Sequence, residues 1–242
     1  MGMNASNKIA TFFKYFVLIL VGIIMIYPLL WMISATFKDN SEIFAGIGLW
    51  IKNPTLDGYR NALNNFGGSI NILQAMLNTY SYVLPKVICT VVSACVAAYG
   101  FGRFDFPGRK LLFNIMLATL FLPQVVLNVP QYLLYNKFGW LDSPFYLAIW
   151  VHCAFATETY FVYQLIQFMW SCNDFMGPLL YVSTPGKYPM SLFVKLSMDG
   201  DTGFAWNKIL ALSLISILPQ LIVFFCAQDQ FVEGISAGAV KG

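Results

Sequence analysis

Long runs of apolar residues, each close to the length needed to cross a bilayer, constrain this chain more than any other feature. Four of them, residues 12–34, 78–101, 111–134 and 208–227, are predicted transmembrane spans, because a spanning helix needs roughly 20 mostly apolar residues. Charged residues make up 10% of the chain and hydrophobic residues 58%, whereas soluble domains carry about 25% charged residues. The sequence therefore predicts an all-α transmembrane helical bundle, in which the whole chain forms one domain.

A fifth apolar run, residues 145–182, has an unusual length of 38 residues. One helix across a bilayer core of about 30 Å does not need so many residues, and two helices with a turn need slightly more. The segment contains no lysine or arginine. It is predicted to be an irregular or double crossing.

The basic residues of the short loops predict the orientation of the chain. Lysines flank the start of the first span, three basic residues lie in the loop 102–110, and Lys241 lies in the tail 228–242. Because basic residues of short loops favour the cytoplasmic side, the N-terminus, this loop and the tail are predicted to be cytoplasmic. An even number of crossings is then required, so residues 145–182 must cross twice or enter and return.

Four groups of residues carry a resemblance to a known family. They are YPLLWM with TFK (27–32, 36–38), AAYGFGRF with FPGR (97–104, 106–109), WSCNDF with GPL (170–175, 177–179) and the tail FVEGISAGAVKG (231–242). With these motifs the chain resembles the inner-membrane permease subunits of bacterial ABC importers for sugars and oligosaccharides. It looks most like the shorter permease of the maltose-type, two-permease systems.

The resemblance implies a bacterial plasma-membrane protein with nominally six spans. It implies four kinds of partner: a second permease subunit, two ATPase subunits, an extracytoplasmic sugar-binding protein and the sugar itself. It also implies that the tail lies against the ATPase subunits. The tail residues concerned are Gly234, Gly238, Lys241 and Gly242.

One departure from the family pattern is also expected to matter. The family's loop between the fourth and fifth spans carries a Glu-Ala-Ala sequence and a coupling helix that docks on the ATPase, but no Glu-Ala-Ala occurs in this chain. Here Gln167 runs directly into Phe168. The resemblance therefore implies that the coupling loop and the start of the fifth span are missing, which would explain the length of residues 145–182 and would weaken or abolish ATPase binding.

The sequence predicts neither catalysis nor a cofactor. It contains no Gly-x-x-x-x-Gly-Lys-Ser/Thr loop for nucleotide phosphates, and with His152 as its one histidine it cannot form a histidine-pair metal site. The net charge of +3 is too small and scattered for a nucleic-acid surface. We expect a transport protein rather than an enzyme.

Ionisable residues inside spans are functional candidates because they are costly in a bilayer. They are Lys86, Glu158 and Asp174. Lys86 could instead extend its ammonium group to the membrane surface, and Glu158 could line an aqueous path or pair with Lys86. For Asp174, a structural role at a helix end before Pro178 is favoured over sugar contact.

Candidate sugar contacts are the amide and aromatic side chains within the spans, since amides bind hydroxyl groups and aromatic rings pack on sugar faces. They are Asn78, Tyr82, Gln124, Asn128, Gln131 and Asn173. Two alternatives to an ABC permease remain open at this point: a stand-alone secondary transporter with Glu158 as its proton site, and a non-functional, internally deleted permease.

Overall fold

The described elements of the chain are helical. A computed structural model describes residues 5–64, 70–119, 123–143, 161–198 and 205–239. Besides a short 3-10 turn at Pro185–Lys187, the described elements are α1 (Ala5–Thr36), α2 (Asn40–Ile43), α3 (Asp57–Leu63), α4 (Ile72–Arg103), α5 (Arg109–Thr119), α6 (Gln124–Lys137), α7 (Phe161–Cys172), α8 (Met176–Tyr181), α9 (Met190–Met198) and α10 (Trp206–Ala239). The described part of the chain is therefore all-α, as predicted.

Three described helices contain a stretch long and apolar enough to cross a membrane. These stretches are Ala10–Thr36 of α1, Ile72–Arg103 of α4 and Trp206–Asp229 of α10. They enclose the first, second and last of the predicted spans. Helix α4 begins at an asparagine cap, since the side chain of Asn71 accepts a hydrogen bond of 2.8 Å from the backbone N–H of Gln74.

The other two apolar runs are divided between shorter helices. Predicted span 111–134 falls on α5 and α6, and its residues 120–122 lie outside the described residues. Of the run 145–182, residues 161–182 contain α7 and α8, whereas residues 145–160 lie outside the described part. The double crossing predicted for this run stays a prediction.

The last helix continues beyond the point where the sequence predicted a tail. Helix α10 runs without a break to Ala239 and includes Gly234 and Gly238. Its proline, Pro219, lies well before residue 228. The following segment contains Gln, Glu and Ala residues that favour helix, and they offset the cost of the glycines.

One compact unit consists of Met1–Leu63 and Gly200–Leu214. In this unit the segment after α2 is held by side chains from the end of α1 and just beyond it. Lys38 is only 2% exposed, and its Nζ donates a hydrogen bond of 2.6 Å to the carbonyl oxygen of Gly48. A buried polar group needs such a partner to offset the loss of water.

Helix α3 and the start of α10 are in close contact within the same unit. A Cβ added at Gly58 would lie 2.7 Å from the carbonyl oxygen of Asn207. The backbone N–H of Trp206 donates a 2.7 Å hydrogen bond to Oδ1 of Asn40. The side chain at position 58 must therefore be a hydrogen atom for the two backbones to approach this closely.

A second compact unit consists of Asn64–Asp199 and Ile215–Gly242. Its helices α4 and α7 pack through a buried cluster formed by Val83, Phe168 and Cys172. This packing fixes the polar face of α4 relative to the junction between α7 and α8, where most of the candidate site lies.

A second cluster in this unit lies beside the C-terminal end of α6. Tyr135 is buried with Tyr181 and Val182, and Trp140 packs against them. Just after the end of α6, Gly139 has a φ of +66°, a backbone conformation that glycine adopts without steric cost. This turn directs the following residues toward the segment after α8.

Candidate functional site: the polar face of helix α4

Two predicted site residues on α4 bind the backbone of the turn at Pro185–Lys187. Asn78 and Tyr82 are four residues apart, so they share one helix face. The Nδ2 atom of Asn78 donates hydrogen bonds to the carbonyl oxygens of Gly186 (2.9 Å) and Tyr188 (3.1 Å). The Tyr82 hydroxyl donates a 2.7 Å hydrogen bond to the carbonyl oxygen of Lys187. In this conformation both side chains anchor the turn.

The same turn is held from its other side by Asp142. This residue has a φ of +59°, a left-handed conformation in which aspartate is enriched among non-glycine residues. Its Oδ1 accepts hydrogen bonds from the backbone N–H groups of Ser183 (3.2 Å) and Thr184 (3.1 Å), and its Oδ2 accepts one from the Thr184 hydroxyl. Lys187 Nζ lies 3.2 Å from Oδ2.

The contacts of Asp142 determine its acidity. Partial burial by itself raises the pKa of this carboxyl, but the hydrogen bonds from Thr184 and the charge and hydrogen bond of Lys187 outweigh that effect. The pKa of Asp142 therefore lies below its usual range. The carboxylate is ionised at neutral pH, which is the state that its four donors require.

A small cavity lies beside the polar face of α4. Its polar lining includes Thr79, Tyr82, Lys86, Ser171 and Asp174, and its volume is about 20 Å³. A cavity needs roughly 10–15 Å³ to hold one water, so this space suits a single water or hydroxyl group and not a sugar ring. The Ser171 hydroxyl is buried without a hydrogen-bond partner among the described residues.

Lys86 and Asp174 face this cavity without forming an ion pair. Among the described residues, Lys86 Nζ lies within 4.0 Å of no carboxylate oxygen. The Oδ1 atom of Asp174 instead accepts a 3.1 Å hydrogen bond from the backbone N–H of Gly177, in the first turn of α8. The backbone carbonyl of Asp174 accepts a 2.7 Å bond from the hydroxyl of Ser191 on α9.

Asn173, the neighbour of Asp174, connects the end of α7 with α10. Its Nδ2 donates a 2.8 Å hydrogen bond to Oε1 of Gln220. Gln220 is only 4% exposed, and its Nε2 donates to the carbonyl oxygen of Ser216 at 3.3 Å. This hydrogen bond gives the buried amide of Gln220 a polar partner within an apolar part of α10.

The structure gathers only part of the predicted site. It places Tyr82, Lys86 and Asp174 around one cavity. On α6, the Gln131 Oε1 lies 3.5 Å from the Tyr181 hydroxyl, a long distance for a hydrogen bond. Asn128 also lies on α6, as does Gln124 at its first residue. The Gln124 side chain, Glu158, Lys241 and Gly242 lie outside the described residues. The assignment of these side chains to a substrate path stays a prediction.

Three residues that complete this site were not predicted from the sequence: Thr79, Asp142 and Ser171. The Thr79 hydroxyl accepts a 2.8 Å hydrogen bond from the backbone N–H of Met190. The one local sequence signal for Thr79 was its position next to Asn78, a predicted site residue. The partners of Asp142 lie about 40 residues away in sequence, so no local spacing could have predicted its contacts.

The chemistry of the site is that of hydrogen bonding and electrostatics. Hydroxyl, ammonium and carboxylate groups surround a small space, and none of these groups is arranged as a nucleophile with an adjacent base. Within the described part of the chain, no group of three or more histidine, cysteine, aspartate or glutamate residues could hold a metal ion.

Comparison with curated proteins gives relatives that match nearly the whole chain. The galactooligosaccharides transport system permease protein GanQ of Bacillus subtilis is 23% identical, over 99% of this chain and 99% of its own length. The diacetylchitobiose uptake system permease protein NgcG of Streptomyces coelicolor is 24% identical over 98% of this chain and 91% of its own length. The trehalose/maltose transport system permease protein MalG of Thermococcus litoralis is 23% identical over 93% of this chain and 94% of its own length. No family model matches the chain.

A solved structure establishes the fold independently. The crystal structure of a bacterial ABC transporter involved in the import of the acidic polysaccharide alginate contains a chain that matches with a TM-score of 0.74 at 14% identity. The match covers 96% of this chain and 99% of that one. This chain is similar to sugar ABC importer permeases over nearly its whole length.

The similarity to these permeases confirms several predictions from the sequence. The family resemblance inferred from the four motifs is confirmed by the relatives, and the all-α permease fold is confirmed by the solved structure. The relatives are transport permeases and not enzymes. The apolar helices of this permease homologue also suit an integral membrane protein.

Proposed function

We propose that this permease homologue is one membrane-spanning subunit of an ATP-driven importer of sugars or oligosaccharides and forms half of the translocation path. The supporting observation is its likeness to GanQ over 99% of both chains. The names of the relatives also include trehalose/maltose and diacetylchitobiose systems, which favours short oligosaccharides as the substrate class. The proposed location is the bacterial inner membrane, with cytoplasmic N- and C-termini.

The proposed partners follow from the same kinship. They are a second permease, two ATPase subunits and an extracytoplasmic sugar-binding protein. Since the sequence contains no phosphate-binding loop, the energy for transport would come from the ATPase subunits. The second permease would supply the other half of the path.

We also propose that the coupling loop of the family is missing from this chain. Two observations support this proposal. Helix α7 passes from Gln167 to Phe168 without interruption, and the alignment with GanQ extends over 283 residues although this chain has 242 residues. The unmodified chain would then bind its ATPase weakly or not at all.

Reconstituted transport tests the proposed energy source. A coupling loop from a related permease, with the start of the fifth span, is inserted after Gln167, and the protein is placed in proteoliposomes with its partner subunits and binding protein. We expect labelled maltotriose to accumulate only when ATP is present on the ATPase side, with no effect of an imposed pH gradient.

The alternative of a stand-alone secondary transporter receives no support from the comparisons, and the same assay tests it. A stand-alone secondary transporter would accumulate sugar in response to a pH gradient without ATP. Glu158→Gln would abolish that accumulation. Such a result would contradict the ABC assignment.

A further inference from the structure

A large cleft lies at the corner between α4 and α5, in the second compact unit and apart from the candidate site described above. Its volume is about 1000 Å³, at the upper end of the range of roughly 300–1000 Å³ that is typical of ligand pockets. Its lining includes Phe101 and Phe113 on the helices and Phe106 in the loop between them. This volume is far larger than that of the cavity beside Lys86.

The apolar wall of the cleft includes three aromatic rings, of which Phe101 contacts the other two. The ring of Phe101 lies 5.8 Å from that of Phe106 and 5.7 Å from that of Phe113, measured between centroids. Leu111 extends this wall. Because aromatic pairs at such distances hold each other in place, the rings present a fixed apolar surface and do not fill the cleft.

The polar side of the cleft is basic. Arg109, Lys110 and Asn114 line it, with Asp105 as the one acidic lining residue. Arg109 and Asp105 form an ion pair, but the side chain of Asp105 is 95% exposed, so the pair is open to solvent and to competition. Lys110 has no carboxylate within 4.0 Å among the described residues, and the cleft keeps a net positive charge.

The position of the cleft relative to the bilayer indicates its ligand. Its lining residues Phe101 and Asp105 stand on either side of Arg103, the last residue of the candidate span Ile72–Arg103, so the cleft lies where this helix reaches the bilayer surface. A ligand there meets basic groups on one side and aromatic rings on the other. A soluble anion would contact only the basic groups. A neutral sugar would leave the positive charge of these groups without a partner.

We propose that the cleft binds an anionic phospholipid, with its phosphate group near Arg109 and Lys110 and the upper part of an acyl chain along the Phe101, Phe106 and Phe113 rings. Basic clusters immediately beside a membrane helix attract anionic lipids in this way. The lipid site is independent of the transported solute. Disproof of lipid binding would therefore leave the proposed transport function untouched.

Native mass spectrometry of the full chain in neutral detergent tests the proposal, with phosphatidylglycerol as ligand and phosphatidylcholine as the neutral control. Phosphatidylglycerol should bind more tightly than phosphatidylcholine. Arg109→Gln with Lys110→Gln should weaken its binding about thirtyfold, because each basic residue near an anionic surface contributes about fivefold. The matched control, Lys52→Gln with Lys137→Gln, removes the same charge at exposed positions elsewhere and should change binding less than twofold.

A gain of binding makes the test independent of damage to the fold. Asp105→Asn frees Arg109 from its ion pair and should tighten phosphatidylglycerol binding severalfold, while Phe113→Ala should weaken it by removing part of the wall. Equal affinity for the two lipids, or unchanged binding in the double variant, would overturn the proposal. Displacement of the lipid by inorganic phosphate at matched concentration would show a phosphate site without a lipid role and would also overturn it.

Discussion

At the scale of single residues, Asp142 contributes to the second unit through its charge. Its carboxylate accepts hydrogen bonds from Ser183, Thr184 and Lys187, and the turn that contains Lys187 is bound on its other side by Tyr82. Hydrogen bonds to an ionised group are stronger than those between neutral groups. The position of the turn against α4 therefore depends on the ionisation of one side chain.

Asp142→Asn should lower the free energy of unfolding by about 1 kcal/mol at neutral pH. Because the pKa of Asp142 is lowered in the folded state, its contribution is present above the unfolded-state pKa of about 3.9 and is lost as the pH falls through the lower folded-state value. Unfolding measured in detergent from pH 7 downward should show the two proteins converging only below about pH 4.

The matched control for this prediction is Asp57→Asn. The carboxylate of Asp57 lies 3.8 Å from Arg60, and both side chains are mostly exposed, so its replacement should have almost no effect on stability. Equal destabilisation by the two substitutions would contradict the role assigned to Asp142.

The hydrogen bond between Asn173 and Gln220 should contribute measurably to stability. Asn173→Ala leaves the buried amide oxygen of Gln220 without this donor and should cost about 1 kcal/mol. In a double-mutant cycle with Gln220→Leu, the two losses should be clearly non-additive, since the second substitution removes the unpaired group. Additive losses in the same detergent would show that the pair contributes nothing.

At the scale of helices, Gly58 controls the approach of α3 to α10 in the first unit. Glycine to alanine within a helix normally stabilises it by about 0.5–1 kcal/mol. Here the added Cβ would lie 2.7 Å from the Asn207 carbonyl oxygen, so Gly58→Ala should instead destabilise the protein by about 1–3 kcal/mol. Gly46→Ala, where no atom lies within 4 Å of the added Cβ, is the control and should leave thermal unfolding nearly unchanged.

The helices also show which parts of the structure the sequence could predict. The length and apolar character of α1, α4 and α10 are local properties, so the sequence located these three long apolar helices directly. The extension of α10 to Ala239 was not predicted, since polarity after residue 227 was interpreted as the end of a helix. Polarity marks departure from the bilayer and does not by itself end helical hydrogen bonding.

The candidate site was predicted less completely than the spans. Polar residues on α4 could be identified because such residues are rare in an apolar helix. Their partners could not, because the backbone carbonyls of Gly186 and Tyr188 lie more than 100 residues away from Asn78 and bonds to backbone leave no sequence signature. In this conformation the amide of Asn78 binds a turn of the chain itself, and its assignment to sugar contact stays a prediction.

At the scale of the whole molecule, the orientation predicted from basic residues can be measured by cysteine labelling. The five native cysteines are first replaced, and single cysteines are introduced by Asn64→Cys, Asp105→Cys and Gly242→Cys. An impermeant maleimide added outside intact cells should label only position 64, because the other two are predicted to be cytoplasmic. Labelling at position 242 would mean that residues 145–182 cross the membrane once.

The most direct test of the account compares sugar uptake by the unmodified chain and by the chain with a coupling loop inserted after Gln167. Both are expressed in cells that lack this subunit but keep its partner permease, ATPase and binding protein. An ATPase drives a permease through a packed contact between two parts that change together, and α7 passes through Gln167 and Phe168 without such a segment. We expect ATP-dependent uptake only for the chain with the inserted loop. Robust ATP-dependent uptake by the unmodified chain would show that another contact couples it to the ATPase and would contradict the proposed loss of the coupling loop.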